Sequence, residues 1–305
     1  MKDRPSSDPE NSGTLAGSGS PSVVVIGNFD GVHLGHQAVL RQARALAAAR
    51  SLRCVVLTFD PHPSEVLGRG LPPQLTTLPR RIALLRQHGA TDVAVEPFTL
   101  ELAGWSPERF AVELLATRLG THAVVVGENF RFGSKRAGDF ATLQALGAKL
   151  GFEAVAAEVA GDAEGPFSST RIRDAIAAGE VGIAAAILAR PHTLGGVVEH
   201  GDARGRTIGF PTANLGGVEE MLPAYGVYAV RVGADRGVMN VGVRPTVDGN
   251  ALRIEVHLFD TDRDLYGQRL DVDLVARLRG EQKFAGLEEL RAQIAKDAEN
   301  ARRVL

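Results

Sequence analysis

The chain has 305 residues, 44% of them hydrophobic and 23% charged, the balance of a soluble globular protein with room for two ordinary domains. Its formal net charge of −2 supplies no basic field for nucleic acid, and no apolar run approaches the roughly 20 residues that span a bilayer. The one cysteine, Cys54, lies in the apolar run RCVVLTF; it cannot close an internal disulfide and reads as a buried core thiol.

Residues 1–21 are rich in Ser, Gly, Pro and acidic side chains and contain no apolar core. They read as a disordered tail rather than a signal peptide, so the expected location is cytoplasmic. From Val23 to about Leu188, short apolar runs (VVVIG, CVVLTF, DVAVEPF, HAVVVG, FEAVAA) alternate with helical segments such as Gln37–Arg50 and Pro107–Leu119. Strands apolar on both faces and separated by helices predict an α/β domain with a parallel sheet covered on two sides. The period changes near Arg190-Pro191. The runs TLGGVVEH, YGVYAVRVG, RGVMNVG, RIEVHLFD and RLDVDLVARL follow, punctuated by Gly and Pro, and a helix at about Leu287–Arg302 closes the chain. Leu270, Val272, Leu274, Ala276 and Leu278 are apolar at every second position, the period of a strand with one buried face. This half reads as all-β, a small barrel or sandwich with a terminal helix. The predicted domains are 22–186 and 187–305.

Within VVVIGNFDGVHLGHQAVL, a strand gives way to a glycine loop and then a helix. Such a junction aims backbone N–H groups and the positive end of a helix dipole at one point, where an anion is favoured. Gly27, Gly31 and Gly35 leave room for close approach. His33 and His36, about one helical turn apart, can face that anion and donate to a phosphate under attack. On the residues alone two other readings stay open: one capping and one packed histidine, or a metal pair, which has no nearby Cys or third His to complete it.

HLGH resembles the HxGH motif of nucleotidylyltransferases, which move a nucleoside monophosphate from ATP to an acceptor phosphate and release pyrophosphate. FSSTRIRDAI supplies the basic, hydroxyl-rich helix start that would go with it: Ser168, Ser169, Thr170, Arg171 and Arg173, with hydroxyls that cap and arginines that pair with phosphate. TFDPHP (58–63) and VGENFRFG (126–133) each follow a predicted strand, at the edge where open α/β sheets bind ligands. Together with GRTIGFPTANL (205–215), NVGVRPTV (240–247), EVHLFD (255–260) and DLYGQRLDV, these segments resemble the bacterial bifunctional riboflavin kinase/FAD synthetase family from about Val23 to Leu290.

The resemblance implies a Rossmann-like FMN adenylyltransferase domain followed by a six-stranded antiparallel β-barrel riboflavin kinase domain. It implies ATP as co-substrate, Mg²⁺, and riboflavin and FMN as further partners; the oligomeric state is left open. Gly27, Asn28, Phe29, Gly31, Gly35, Ser169, Thr170 and Arg171 map onto the ATP side of adenylyl transfer, with His33 and His36 catalytic. Asn129 and Phe130 map onto the flavin side. In the second half Glu255 maps onto the glutamate that orients or deprotonates the ribityl 5′-hydroxyl; a surface ion pair with Arg253 is the alternative. Thr212 and Asn214 map onto the metal site, their neutral oxygens suiting Mg²⁺ shared with ATP phosphates and water. Gly205, Arg206 and Gly209 map onto a phosphate-covering stretch. Two rivals, an adenylyltransferase for another acceptor and a flavin-sensing regulator with idle sites, are opposed by Glu255 with PTAN and by HLGH with SSTRIR.

Overall fold

A computed structural model describes residues 20–200, 210–246, 249–261 and 263–305, with backbone only at 244–246 and 249–251. Contacts divide the chain into two units: one runs through Pro72 and resumes at Thr77–Phe167, the other joins Pro73–Thr76 to Ser168–Leu305.

In the first unit, β1 (Ser22–Ile26), β2 (Arg53–Asp60), β3 (Asp92–Pro97), β4 (Thr121–Val126) and β5 (Glu153–Ala156) form a parallel sheet of order β3-β2-β1-β4-β5. Helix α1 (Leu34–Ala49) follows β1; short α2 (Pro63–Val66) and longer α3 (Leu78–Gln87) follow β2; α4 (Leu100–Ala103) and α5 (Pro107–Arg109) follow β3; α6 (Phe140–Leu150) follows β4. A hairpin, β6 (Gly161–Asp162) with β7 (Gly165–Pro166), comes after the sheet. Alternation along each strand feeds two cores. Val24, Ile26, Val55, Leu57, Val124 and Val126 enter one, and Val23, Val25, Cys54, Val56, Ala123 and Val125 the other. Both faces are dry, which is why these strands are apolar throughout. Burial pushes the Cys54 thiol up to about 11. The strand order reverses between β1 and β4, and a ligand crevice in such a sheet opens there, at the strands' carboxyl ends.

The helix expected over Pro107–Leu119 begins as α5 and continues over Phe110–Arg118 as a π-helix. Thr117 Oγ1 donates to the Val112 carbonyl five residues back at 2.8 Å.

The second unit contains α7 (Ser169–Ala178), α8 (Val181–Leu188) and a closed six-stranded antiparallel barrel. Its strands are β8 (His192–Glu199), β9 (Ala213–Gly216), β10 (Gly226–Val232), β11 (Asp235–Thr246), β12 (Gly249–Leu258) and β13 (Arg269–Arg279), ordered β10-β11-β12-β9-β8-β13, and α9 (Leu287–Val304) ends the chain. Tyr228, Val230, Met239, Val241, Ile254, Val256, Val272 and Leu274 fill the barrel with Val181 of α8. The even apolar spacing of β13 does not mark one buried face. A bulge between Leu274 and Ala276 interrupts its pairing with β10, and its extra residue turns the following side chains over. Leu270, Val272 and Leu274 point into the barrel, whereas Ala276 and Leu278 pack outside it with Val227, Ala229 and Ala301 of α9. Asp297, 3% exposed, holds α9 to β13 through a 2.8 Å ion pair with Arg279.

Candidate functional site

The β1–α1 loop is strained. Phe29 (φ 52°) and Val32 (φ 43°) take the left-handed backbone beside Gly31 (φ 85°). A β-branched residue there is an outlier, and each such residue costs about 1–3 kcal/mol. Burial holds them: Phe29 is 3% and Val32 0% exposed. The Gln37 amide donates to the Val32 carbonyl at 2.9 Å.

His33 is the N-cap of α1. Its Nδ1 accepts from the backbone N–H of Gly35 at 3.1 Å and of His36 at 3.4 Å, so the helix starts at Leu34, before the expected Gln37. A ring nitrogen that accepts leaves the proton of the neutral imidazole on Nε2. Gly35 must lack a side chain: a Cβ would lie 2.9 Å from His33 Cε1 and 3.1 Å from the Phe167 carbonyl oxygen. The His36 ring stacks on His33, centroids 3.7 Å apart, and Phe29 meets it edge-on at 5.1 Å. Among the described residues no partner reaches its buried Nδ1. Burial, then the His33 imidazole, then the Arg81 guanidinium hold the His36 pKa well below the ordinary histidine value, so this ring is neutral at pH 7.

Two contacts that the sequence reading missed join this loop. The Asn28 side-chain amide lies 3.0 Å from His62 Nε2, and His62 Nδ1 accepts from the Ser64 N–H at the start of α2. Asp30 and Arg81 form a buried ion pair at 3.8 Å. His62 sits in TFDPHP at the carboxyl end of β2, a position that carried a signal; Arg81, on α3, carried none. Phe130 stacks on Phe132 at 5.5 Å and packs with Phe59, Phe98 and Trp105 against one core; Asn129 is exposed beside it.

Ser168 caps α7, its Oγ accepting from the Arg171 N–H at 3.2 Å, and Ser169, Thr170 and Arg171 form the first turn. Arg173 Nε donates to the Pro73 carbonyl at 2.8 Å. Both residues belong to the second unit.

In the barrel, β9 places Asn214 directly opposite Glu255 of β12. Their neighbours Ala213, Leu215, Ile254 and Val256 are buried, so Asn214 and Glu255 share the outer face. Arg253 reaches Asn214 Oδ1 at 3.5 Å and Glu255 Oε1 at 3.7 Å. The second distance is that of an ion pair longer than a hydrogen bond. Thr212 lines a cavity of about 320 Å³ with Pro211, Val256, Leu258, Asp264 and Tyr266. Gly205, Arg206 and Gly209 lie outside the described residues.

Comparison with known proteins follows this division. A family profile described as FAD synthetase matches residues 17–171, and one described as riboflavin kinase matches 188–305. The bifunctional riboflavin kinase/FMN adenylyltransferase of Escherichia coli K12 is 40% identical over 286 residues, 92% of this chain and 91% of that protein. That of Bacillus subtilis is 38% identical over 291 residues, 92% and 91% of the two chains. A crystal structure from Streptococcus pneumoniae, described as a macrolide-efflux protein, is 34% identical with a TM-score of 0.85, covering 94% of this chain and 95% of that one. Among the described residues, no helix here is long and apolar enough to cross a membrane.

Proposed function

The chain belongs to the family of bifunctional riboflavin kinases/FMN adenylyltransferases, and on that premise we propose which residues carry each reaction. The enzyme phosphorylates riboflavin with ATP to give FMN and ADP, then adenylylates FMN with a second ATP to give FAD and pyrophosphate.

In adenylyl transfer an FMN phosphate oxygen attacks the α-phosphorus of ATP, and the bond to pyrophosphate breaks. His33 and His36 donate to the charge that grows on the α-phosphoryl oxygens. His33 acts from Nε2–H, because capping occupies Nδ1. Gly27, Asn28, Phe29, Gly31 and Gly35 shape the phosphate cradle; Ser169, Thr170 and Arg171 hold phosphate oxygens. Asn129 and Phe130 meet the flavin, Phe130 through its aromatic face. The observation that carries this reading is the pair of stacked imidazoles on a strained loop at the first turn of α1.

In the kinase step Glu255 orients or deprotonates the ribityl 5′-hydroxyl as its oxygen attacks the γ-phosphorus. Thr212 and Asn214 offer neutral hard oxygen donors, which suit Mg²⁺ shared with ATP phosphates and water. Mg²⁺ held there would neutralise charge on the ATP phosphates. Gly205, Arg206 and Gly209 are the residues proposed to cover those phosphates. Purified protein incubated with riboflavin, ATP and Mg²⁺ is expected to yield FMN and then FAD on chromatography. Formation of neither product would overturn both assignments.

Residues 22–186 are proposed as the adenylyltransferase domain and 187–305 as the kinase domain. The grouping of α7 and α8 with the barrel refines how a free kinase fragment should be cut. Val181 is 2% exposed within the barrel's core cluster, and losing such a side chain costs about 1.5–3 kcal/mol. A fragment 168–305 is expected to make FMN but no FAD, and to unfold at higher denaturant than a fragment 187–305. Equal midpoints would show that α8 adds nothing to the barrel.

The depressed His36 pKa has a consequence for acid stability. Below the unfolded value of about 6.5, the unfolded chain binds a proton that the folded chain refuses. This share of stability is complete above that pH and is lost as pH falls toward the folded pKa. His36→Gln is expected to flatten the decline in denaturation midpoint between pH 7.5 and 5.5. An identical decline in both proteins would contradict the buried neutral ring.

A further inference from the structure

We propose that His257 is a positioning residue for phosphoryl transfer: its ring N–H holds the Phe210–Thr212 segment against β12, and so fixes where Thr212 presents its oxygen. The inference rests on the reading that Thr212, Asn214 and Glu255 serve the kinase step.

The argument starts from the ladder. β12 and β9 pair at Glu255–Asn214 and Val256–Ala213. Continued antiparallel register would set His257 against Thr212, but β9 begins at Ala213, so the ladder stops one residue short of the proposed metal ligand. Asn214 is held from both sides, because β8 pairs with it through Glu199. Among the described residues Thr212 has no strand partner. At this point a side chain takes over from the backbone: His257 Nδ1 lies 2.8 Å from the Pro211 carbonyl oxygen. A carbonyl only accepts, so Nδ1 carries the proton and donates, whether the ring is neutral or charged.

The ring itself is fixed. Phe210 meets it edge-on at 5.4 Å and Phe259 at 5.8 Å. Both Pro211 and Thr212 line the cavity at the barrel, so this one hydrogen bond sets part of its wall. His257 stands two residues from Glu255 on the same face of β12. One strand therefore carries the catalytic carboxylate and the tether of the segment opposite it. Displacing this segment is expected to weaken binding of Mg·ATP while leaving Glu255 in place.

Two substitutions separate the donor from the ring. His257→Phe keeps the aromatic contacts and removes the N–H. His257→Asn removes the ring and puts an amide N–H close to the position of Nδ1. In the full-length enzyme, riboflavin phosphorylation by His257→Phe is expected to show a three- to tenfold higher KM for Mg·ATP, the change that one lost hydrogen bond of ordinary strength produces. The KM for riboflavin should stay within twofold. His257→Asn should recover most of the loss, and adenylylation of supplied FMN should be unchanged in both. A merely structural role predicts a lower melting temperature with no selective change in the KM for Mg·ATP, and that result would overturn the proposal. So would wild-type kinetics in His257→Phe, or failure of His257→Asn to recover. Glu255→Gln is assayed alongside. If it phosphorylates riboflavin at the wild-type rate, the kinase-site reading fails and the proposal falls with it. If it is inactive while His257→Phe matches wild type, only the His257 proposal fails.

Discussion

His36→Ala is expected to slow adenylylation of FMN a hundred- to thousand-fold. A donor used mainly in the transition state is typically worth about 3–4 kcal/mol. The ring stacks on His33 at 3.7 Å and is held neutral by burial, His33 and Arg81, so the proposed donor carries no net charge. The loss should therefore fall on turnover, with the KM for FMN little changed. Truncation also removes the stacking partner of the α1 N-cap, so a modest drop in melting temperature should accompany it. Riboflavin phosphorylation is the internal control for folding. Its proposed catalytic group, Glu255, lies in the barrel unit, so this step should remain at the wild-type rate and riboflavin supplied to this variant should accumulate as FMN. FAD formation at the wild-type rate would make the two histidines a cap and a packed ring with no part in the chemistry.

Glu255→Gln is expected to do the reverse. The amide keeps the shape of the side chain on β12 but cannot take a proton. General-base assistance typically contributes about 10²–10⁴-fold, and a loss of that size is expected in riboflavin phosphorylation. Arg253, 3.7 Å from the carboxylate, would then lie beside a neutral group, which costs little because both side chains reach solvent. Supplied FMN should still be converted to FAD. A variant that phosphorylates riboflavin normally would leave the ion pair with Arg253 as the whole role of Glu255.

Much of the architecture was legible in the residues. β1, β2 and β4 are apolar on both faces because two cores sandwich the sheet, and their alternation with helices is the pattern of a covered parallel sheet. The barrel strands were legible as strands, but their faces were not. The run from Leu270 to Leu278 keeps one period through the bulge between Leu274 and Ala276, so an unbroken alternation serves the barrel interior and then α9. A bulge adds a residue without changing the composition. The start of α1 was misplaced by three residues because histidine is an uncommon cap; its Nδ1 does the work of a serine oxygen. The grouping of α7 and α8 was hidden for another reason. An amphipathic helix advertises an apolar face but not the core that receives it, and Val181 is assigned to the barrel only by packing. Contacts distant in sequence were silent too. Nothing in PRRIALL pointed to an ion pair between Arg81 and Asp30, whereas His62 stood at a strand's carboxyl end and His257 shared a face with Glu255.

The central claim, that two separate sets of residues perform the two reactions, is tested most directly by mixing the two variants. His36→Ala and Glu255→Gln are each incubated with riboflavin, ATP and Mg²⁺, alone and together, and the flavins are separated by chromatography. The first alone should stop at FMN, and the second alone should leave riboflavin unchanged. The mixture should make FAD, because FMN released by one protein is the substrate of the other. FAD from either variant alone at the wild-type rate, or none from the mixture, would contradict the assignment.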